Sequence, residues 1–110
     1  MRGNLIGILG AGKSGIACAK LALKFGYSVL LSDSSNKKVK LNNDKNLVIE
    51  IGGHSEKILN CDFIVISPGI SPNIDIVRQA VKKNIPIIGE IEFASWFTKA
   101  DILAITGSNG

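Results

Sequence analysis

A chain of 110 residues with 45% hydrophobic and 20% charged side chains suits one compact domain with a real core and leaves no room for a second full one. Aromatic content of only 5% argues against a base-stacking surface for single-stranded nucleic acid, and the net charge of +4 is spread over scattered lysines, clustered only at Lys37-Lys38-x-Lys40. Cys18 and Cys61 lack metal-ligand spacing and read as reduced thiols of a cytoplasmic protein, and the apolar N-terminal run is too short and glycine-broken to span a membrane. No nucleic-acid partner, membrane or metal is therefore expected.

Residues 5–9 are apolar, break into Gly10-Ala11-Gly12-Lys13-Ser14-Gly15, and continue with a helical period. The order is strand, phosphate-binding turn, helix. The spacing Gly10-x-Gly12-x-x-Gly15 fits the dinucleotide fingerprint, in which the first glycine turns tightly, the second admits a pyrophosphate, and the third seats the helix on the strand. An anion would then lie near Gly12 at the helix N-terminus, where free N–H groups and the helix dipole favour negative charge. The same glycines can close such a turn for packing alone. On the predicted helix Ser14, Cys18, Leu21, Ala22 and Phe25 share a packing face, while Lys13, Lys20 and Lys24 face water, with Lys13 also within reach of a phosphate.

Gly26 is the expected helix stop, and residues 27–32 read as a second strand ending at Asp33. An acid at that distance from the fingerprint bonds a ribose or faces a base, although Asp33-Ser34-Ser35-Asn36 is also a good turn by itself. Residues 36–46 are polar and weakly patterned, a short helix or loose loop. Residues 47–51 read as a third strand, and residues 55–59 as a helical turn with Ser55 near its cap. His54 stands beside two glycines with no partner pattern to recruit it, and reads as a surface histidine.

Residues 62–67 form an unalternating fourth strand, the pattern of a parallel strand covered on both faces. Ser67-Pro68-Gly69 then opens a rigid loop at its carboxyl end, which belongs beside the glycine-rich turn. A helix over residues 73–83, a short strand over 86–89 and an amphipathic helix over 90–98 follow, with Glu90 and Glu92 complementing the last helix's dipole. Residues 101–110 begin like a new strand and end in a second glycine-rich turn. The fold class predicted is α/β: a Rossmann-like open parallel sheet of about five strands with helices on both faces, followed by one strand of a next domain.

Gly10-Ala11-Gly12-Lys13-Ser14-Gly15-Ile16-Ala17, Ser67-Pro68-Gly69-Ile70, Gly89-Glu90-Ile91-Glu92 and Ala104-Ile105-Thr106-Gly107-Ser108-Asn109-Gly110 stand in the order and spacing of the Mur ligases. The chain resembles that family along its whole length, most nearly the branch that adds D-glutamate to UDP-N-acetylmuramoyl-L-alanine. The resemblance implies that residues 1–99 are a UDP-binding N-terminal domain and residues 100–110 the start of an ATP-binding central domain. It implies a diphosphate at Gly12, Lys13, Ser14 and Gly15, a uracil near Asp33 and Ser34, and a closing loop of Ser67, Pro68 and Gly69. Relatives often carry a basic residue at the position of Ser35. Thr106, Gly107, Ser108, Asn109 and Gly110 would open an ATP loop whose lysine and magnesium ligands lie further on.

The implied reaction is ATP- and Mg²⁺-driven amide formation in peptidoglycan precursor synthesis, in the cytoplasm and together with the ligase's remaining domains. No catalytic residue falls within these 110 residues, so the chain alone is expected to bind or scaffold without turnover and to hold ATP only weakly. A NAD(P)-binding domain of a dehydrogenase or transport regulator is the alternative, favoured by the fingerprint and Asp33. It leaves the Ser67-Pro68-Gly69 loop and residues 106–110 unexplained. A non-enzymatic remnant that keeps the fold and has lost its ligand is a third reading.

Overall fold

The computed structural model describes residues 4–106. Five strands, β1 (Leu5–Leu9), β2 (Ser28–Asp33), β3 (Leu47–Ile51), β4 (Phe63–Ile66) and β5 (Ile87–Gly89), form one wholly parallel sheet in the order β3-β2-β1-β4-β5. The order runs outward from β1 in both directions. The reversal falls between β1 and β4, the topological switch point, outside whose strand ends such sheets open a crevice.

Alternation along the strands sorts the core onto two faces. Ile6, Ile8, Val29, Leu31, Phe63 and Val65 pack under helix α1 (Lys13–Lys24) and the short helix α3 (Glu90–Ser95). Leu9, Leu30 and Ile64 pack under helix α2 (Asp75–Lys82) and the 3-10 turn Glu56–Asn60. Phe93 of α3 is fully buried and meets Phe63, Trp96 and Phe97 in an aromatic cluster. Gly26, at φ +90°, ends α1, and Asn84, at φ +61°, ends α2. In each case the next residue's N–H reaches back to close the last turn, Tyr27 to Ala22 and Ile85 to Ala80.

The loose-loop alternative holds for the segment after β2, and one predicted element differs. Residues 34–46, between β2 and β3, form no helix; Val39 and Leu41 instead anchor the segment on the α1 face of the core. The strand expected near residues 102–105 is a helix, α4 (Lys99–Thr106), packed against α1. Its start explains the outcome. The Asp101 N–H donates to Thr98 Oγ1 at 3.1 Å and the Thr98 N–H to Asp101 Oδ2 at 3.0 Å, a reciprocal capping box. Hydrogen bonds from the Thr98 backbone N–H and hydroxyl hold the Asp101 carboxyl below its ordinary range. No strand among the described residues pairs with this segment, whereas α1 offers Ile102 and Ile105 an apolar surface. No described helix is long and apolar enough to cross a membrane.

Candidate functional site

The crevice at the switch point is built by the glycine-rich turn. Gly10 adopts φ +106°, a conformation open to glycine, and its N–H bonds the Ser32 carbonyl at 2.8 Å. Gly15 is buried where α1 crosses the turn, and a Cβ there would collide with the Gly10 carbonyl oxygen. Fingerprint geometry therefore follows from close packing of helix on strand. Gly12 caps α1 without any side-chain hydrogen bond, and the first turn carries no acid. Gly12, Lys13 and Ser14 are all exposed. Among the described residues no side chain caps the first turn of α1, the condition under which a helix start holds an anion.

Asp33 stands at the end of β2 and turns toward this mouth. Its Oδ2 accepts the Ala11 N–H at 2.7 Å, and its Oδ1 accepts the Ser35 N–H at 2.8 Å and the Ser35 hydroxyl at 2.7 Å. Burial pushes the carboxyl upward, but the Ala11 and Ser35 hydrogen bonds and the Lys37 ammonium, 3.7 Å away, outweigh it and bring Asp33 down to about 2. Asp33 is therefore ionised and its turn rigid. The Lys37 ammonium stands beside this carboxylate and adds a positive charge to the turn. Ser34 is exposed and its side chain makes no hydrogen bond among the described residues.

On the other side Ser67 follows β4, and its N–H bonds the Leu9 carbonyl at 3.2 Å. A Cβ on Gly10 would lie 2.6 Å from Ser67 Oγ, so the lip packs directly on the turn. Pro68 and Gly69 are exposed at its tip. The structure thus brings together Gly12, Lys13, Ser14, Gly15, Asp33 and Ser67 around one mouth, with Ser34, Pro68 and Gly69 on its rim. Ser67 differs from the expected ligand group in one respect. Its hydroxyl donates to Glu90 Oε2 at 2.5 Å, which leaves it able only to accept.

His54, read from the sequence as a surface residue without a partner, is half-buried with Nδ1 2.6 Å from Ser32 Oγ. Ser32 donates to Glu50 Oε1 at 2.8 Å, and Glu50 also accepts the Ser55 N–H and hydroxyl. Burial raises the Glu50 carboxyl, but the Ser55 and Ser32 hydrogen bonds and His54 outweigh it and lower it below its ordinary range. Serine, histidine and carboxylate meet here without forming a nucleophile: Ser32 is fully buried, and its proton goes to Glu50, not to the imidazole. The signal lies in the β2–β3 register, which sets Ser32 opposite Glu50, and no sequence spacing reveals it.

The cleft of about 230 Å³ between α1, α3 and α4 adjoins the mouth at Ser14 and Glu90 and is otherwise lined by residues such as Cys18, Leu21, Ile91 and Ala94. Its walls are almost wholly apolar, so it is unsuited to a diphosphate. Burial and the Glu90 charge push the Cys18 thiol up to about 12, and burial and Asp62 do the same to Cys61. Both thiols are unreactive at neutral pH. Among the described residues no group of three His, Cys, Asp or Glu side chains could hold a metal. Gly107 to Gly110 of the expected ATP loop lie outside the described residues, and Thr106 closes α4 with helical backbone instead of leaving a strand.

The family model described as Mur ligase MurD-like, N-terminal domain, matches residues 4–89. The UDP-N-acetylmuramoylalanine--D-glutamate ligase of Elusimicrobium minutum is 45% identical over 99% of this chain, and that of Chloroherpeton thalassium 39% identical over 100% of it. In both cases the chain spans 25% of the relative's length. Among solved structures, N5-carboxyaminoimidazole synthetase from Staphylococcus aureus aligns at TM-score 0.53 and 26% identity over 78% of this chain and 24% of its own. Shikimate dehydrogenase from Aquifex aeolicus aligns at TM-score 0.54 and 16% identity over 96% of this chain and 49% of its own, a likeness of fold. With the glycine-rich turn, Asp33 and the Ser67 lip all lying inside the matched residues 4–89, the chain belongs to the MurD-like N-terminal domain family of the Mur ligases.

Proposed function

We propose that this chain is the substrate-capturing part of the ligase that adds D-glutamate to UDP-N-acetylmuramoyl-L-alanine during peptidoglycan precursor synthesis in the cytoplasm. The diphosphate sits on the amides of Lys13, Ser14 and Gly15, the uracil end lies by Asp33 and Ser34, and Pro68 and Gly69 close the opposite side. The observation that carries this reading is the uncapped start of α1, with no acid in its first turn, opening between Asp33 and the Ser67 lip at the switch point of the sheet. Charge and geometry agree there. Helix-terminal amides favour an anion, while ionised Asp33 keeps the turn in shape and can still accept a hydrogen bond from a base or ribose.

Amide formation in this family uses ATP and Mg²⁺, and the described residues do not form a site for either. The only described part of the expected ATP loop is the end of α4. No step of the reaction is therefore assigned to these residues. They bind and orient the uridine-linked sugar, and they act together with the remaining domains of a ligase, divided from the first near residue 100.

Calorimetric titration of the chain with UDP, UDP-N-acetylmuramoyl-L-alanine and NADH tests this reading. Saturable heats with both UDP ligands and none with NADH are expected. Saturable NADH binding with no response to either UDP ligand would reverse it.

A further inference from the structure

Glu90 is the buried carboxylate of the described residues, only 7% exposed, at the first position of α3. Its Oε2 accepts a hydrogen bond from the Ser67 hydroxyl at 2.5 Å, and the same oxygen lies 3.8 Å from where a Cβ on Gly15 would stand. It therefore bonds the lip and, with Ser14, lines the cleft beside the start of α1. The place is electrostatically costly. Burying an ionised carboxylate is unfavourable unless it is hydrogen-bonded, and a negative charge behind an anion site opposes the anion. The dipole of α3 accommodates an acid at its first position, and the hydrogen bond to Ser67 ties this one to the lip.

We propose that Glu90 is a positioning residue for the diphosphate subsite: by accepting the Ser67 hydrogen bond it fixes the lip against Gly10 and so sets the width of the mouth. The inference rests on the reading that this mouth receives a uridine diphosphate. Ser67 is then an anchor. Its carbonyl accepts the Ile70 N–H at 3.0 Å and closes the lip's turn, which presents Gly69 outward while the hydroxyl is held inward by Glu90.

The test uses Glu90→Met, which keeps length and removes the acceptor, Glu90→Gln, which keeps an acceptor oxygen and removes the charge, Ser67→Ala, and the Glu90→Met/Ser67→Ala pair. Glu90→Met and Ser67→Ala should each weaken UDP binding about tenfold, the scale of one hydrogen bond to an ionised group. The double variant should bind no worse than the weaker single one, because both changes cut the same link. Glu90→Gln should stay within about threefold of the unmodified chain, since its oxygen still accepts from Ser67. Uridine, which lacks the diphosphate, should bind all four variants as it binds the unmodified chain.

Amide exchange in the ligand-free chain separates failure of this inference from failure of the UDP reading. The Ile70 N–H should exchange about tenfold faster in Glu90→Met while Ile64 and Val65 stay protected. Tighter or unchanged UDP binding in Glu90→Met, losses that multiply in the double variant, or unchanged Ile70 exchange would each overturn the proposal. Should Glu90→Met not fold, Ser67→Ala loosens the same lip from its other end and is read in the same two ways. An unmodified chain that ignores UDP removes the subsite and the proposal with it, while Ile70 exchange still decides whether Glu90 holds the lip.

Discussion

Replacing Asp33 by asparagine removes the charge at the base end of the mouth and keeps the side chain's shape. In the folded chain the carboxyl is held at about 2, against an ordinary value of 3.8, because both oxygens take hydrogen bonds from Ala11 and Ser35. Each unit of such a shift corresponds to ~1.4 kcal/mol. One side of the group meets water and Lys37 is itself exposed, so screening reduces the charge contribution to about 1 kcal/mol. The asparagine amide adds a second loss. It has one oxygen for two sets of donors, so its NH₂ must face either the Ala11 or the Ser35 N–H, at a cost of about 1 kcal/mol or more.

Asp33→Asn should therefore destabilise the chain by about 2 kcal/mol at neutral pH. The sign of the pH dependence follows from the direction of the shift. A folded value lowered below the unfolded one gives stability that is complete above 3.8 and is lost as pH falls toward about 2. Urea unfolding of both chains, from neutral pH down through that interval, should show the gap narrowing by about 1 kcal/mol. A gap absent at neutral pH, or one that keeps its full size in acid, would refute the role given to Asp33.

Other consequences follow from the same packing. Gly15→Ala forces a Cβ onto the Gly10 carbonyl oxygen, so α1 must lift from the turn; stability should fall by about 1–3 kcal/mol and UDP binding should weaken with it. Phe93→Ala empties the centre of the aromatic cluster, and chemical denaturation should show a loss of about 3–5 kcal/mol while any folded fraction still binds UDP. Asn84→Gly relieves a left-handed position at the end of α2 and should stabilise by about 0.5 kcal/mol; a loss of stability would mean that the asparagine side chain is needed there.

What the sequence revealed and what it hid divide along physical lines. The glycine-rich turn, the Gly26 stop and the parallel strands were legible because local sterics and unalternating apolar runs dictate them. The closeness of Gly10 and Ser67 was legible too, since it needs only their places at the ends of neighbouring strands. The Ser32–Glu50–His54 and Ser67–Glu90 links were not, because each joins residues that only the sheet register or a helix start brings together. Helix α4 was misjudged for another reason. Ile102, Leu103, Ala104 and Ile105 have the apolar run of a buried strand, but the Thr98–Asp101 box nucleates a helix locally, and packing on α1 rewards it.

The central claim is that the uncapped start of α1 holds the diphosphate of a uridine-linked sugar. Its most direct measurement is a UDP titration of the isotopically labelled chain, following each backbone amide by NMR. The account predicts saturable shifts concentrated at Lys13, Ser14 and Gly15, with smaller ones at Ser34 and Gly69, and little response at the α1 amides to uridine alone. Saturable UDP binding that leaves the Lys13, Ser14 and Gly15 amides unmoved would contradict it.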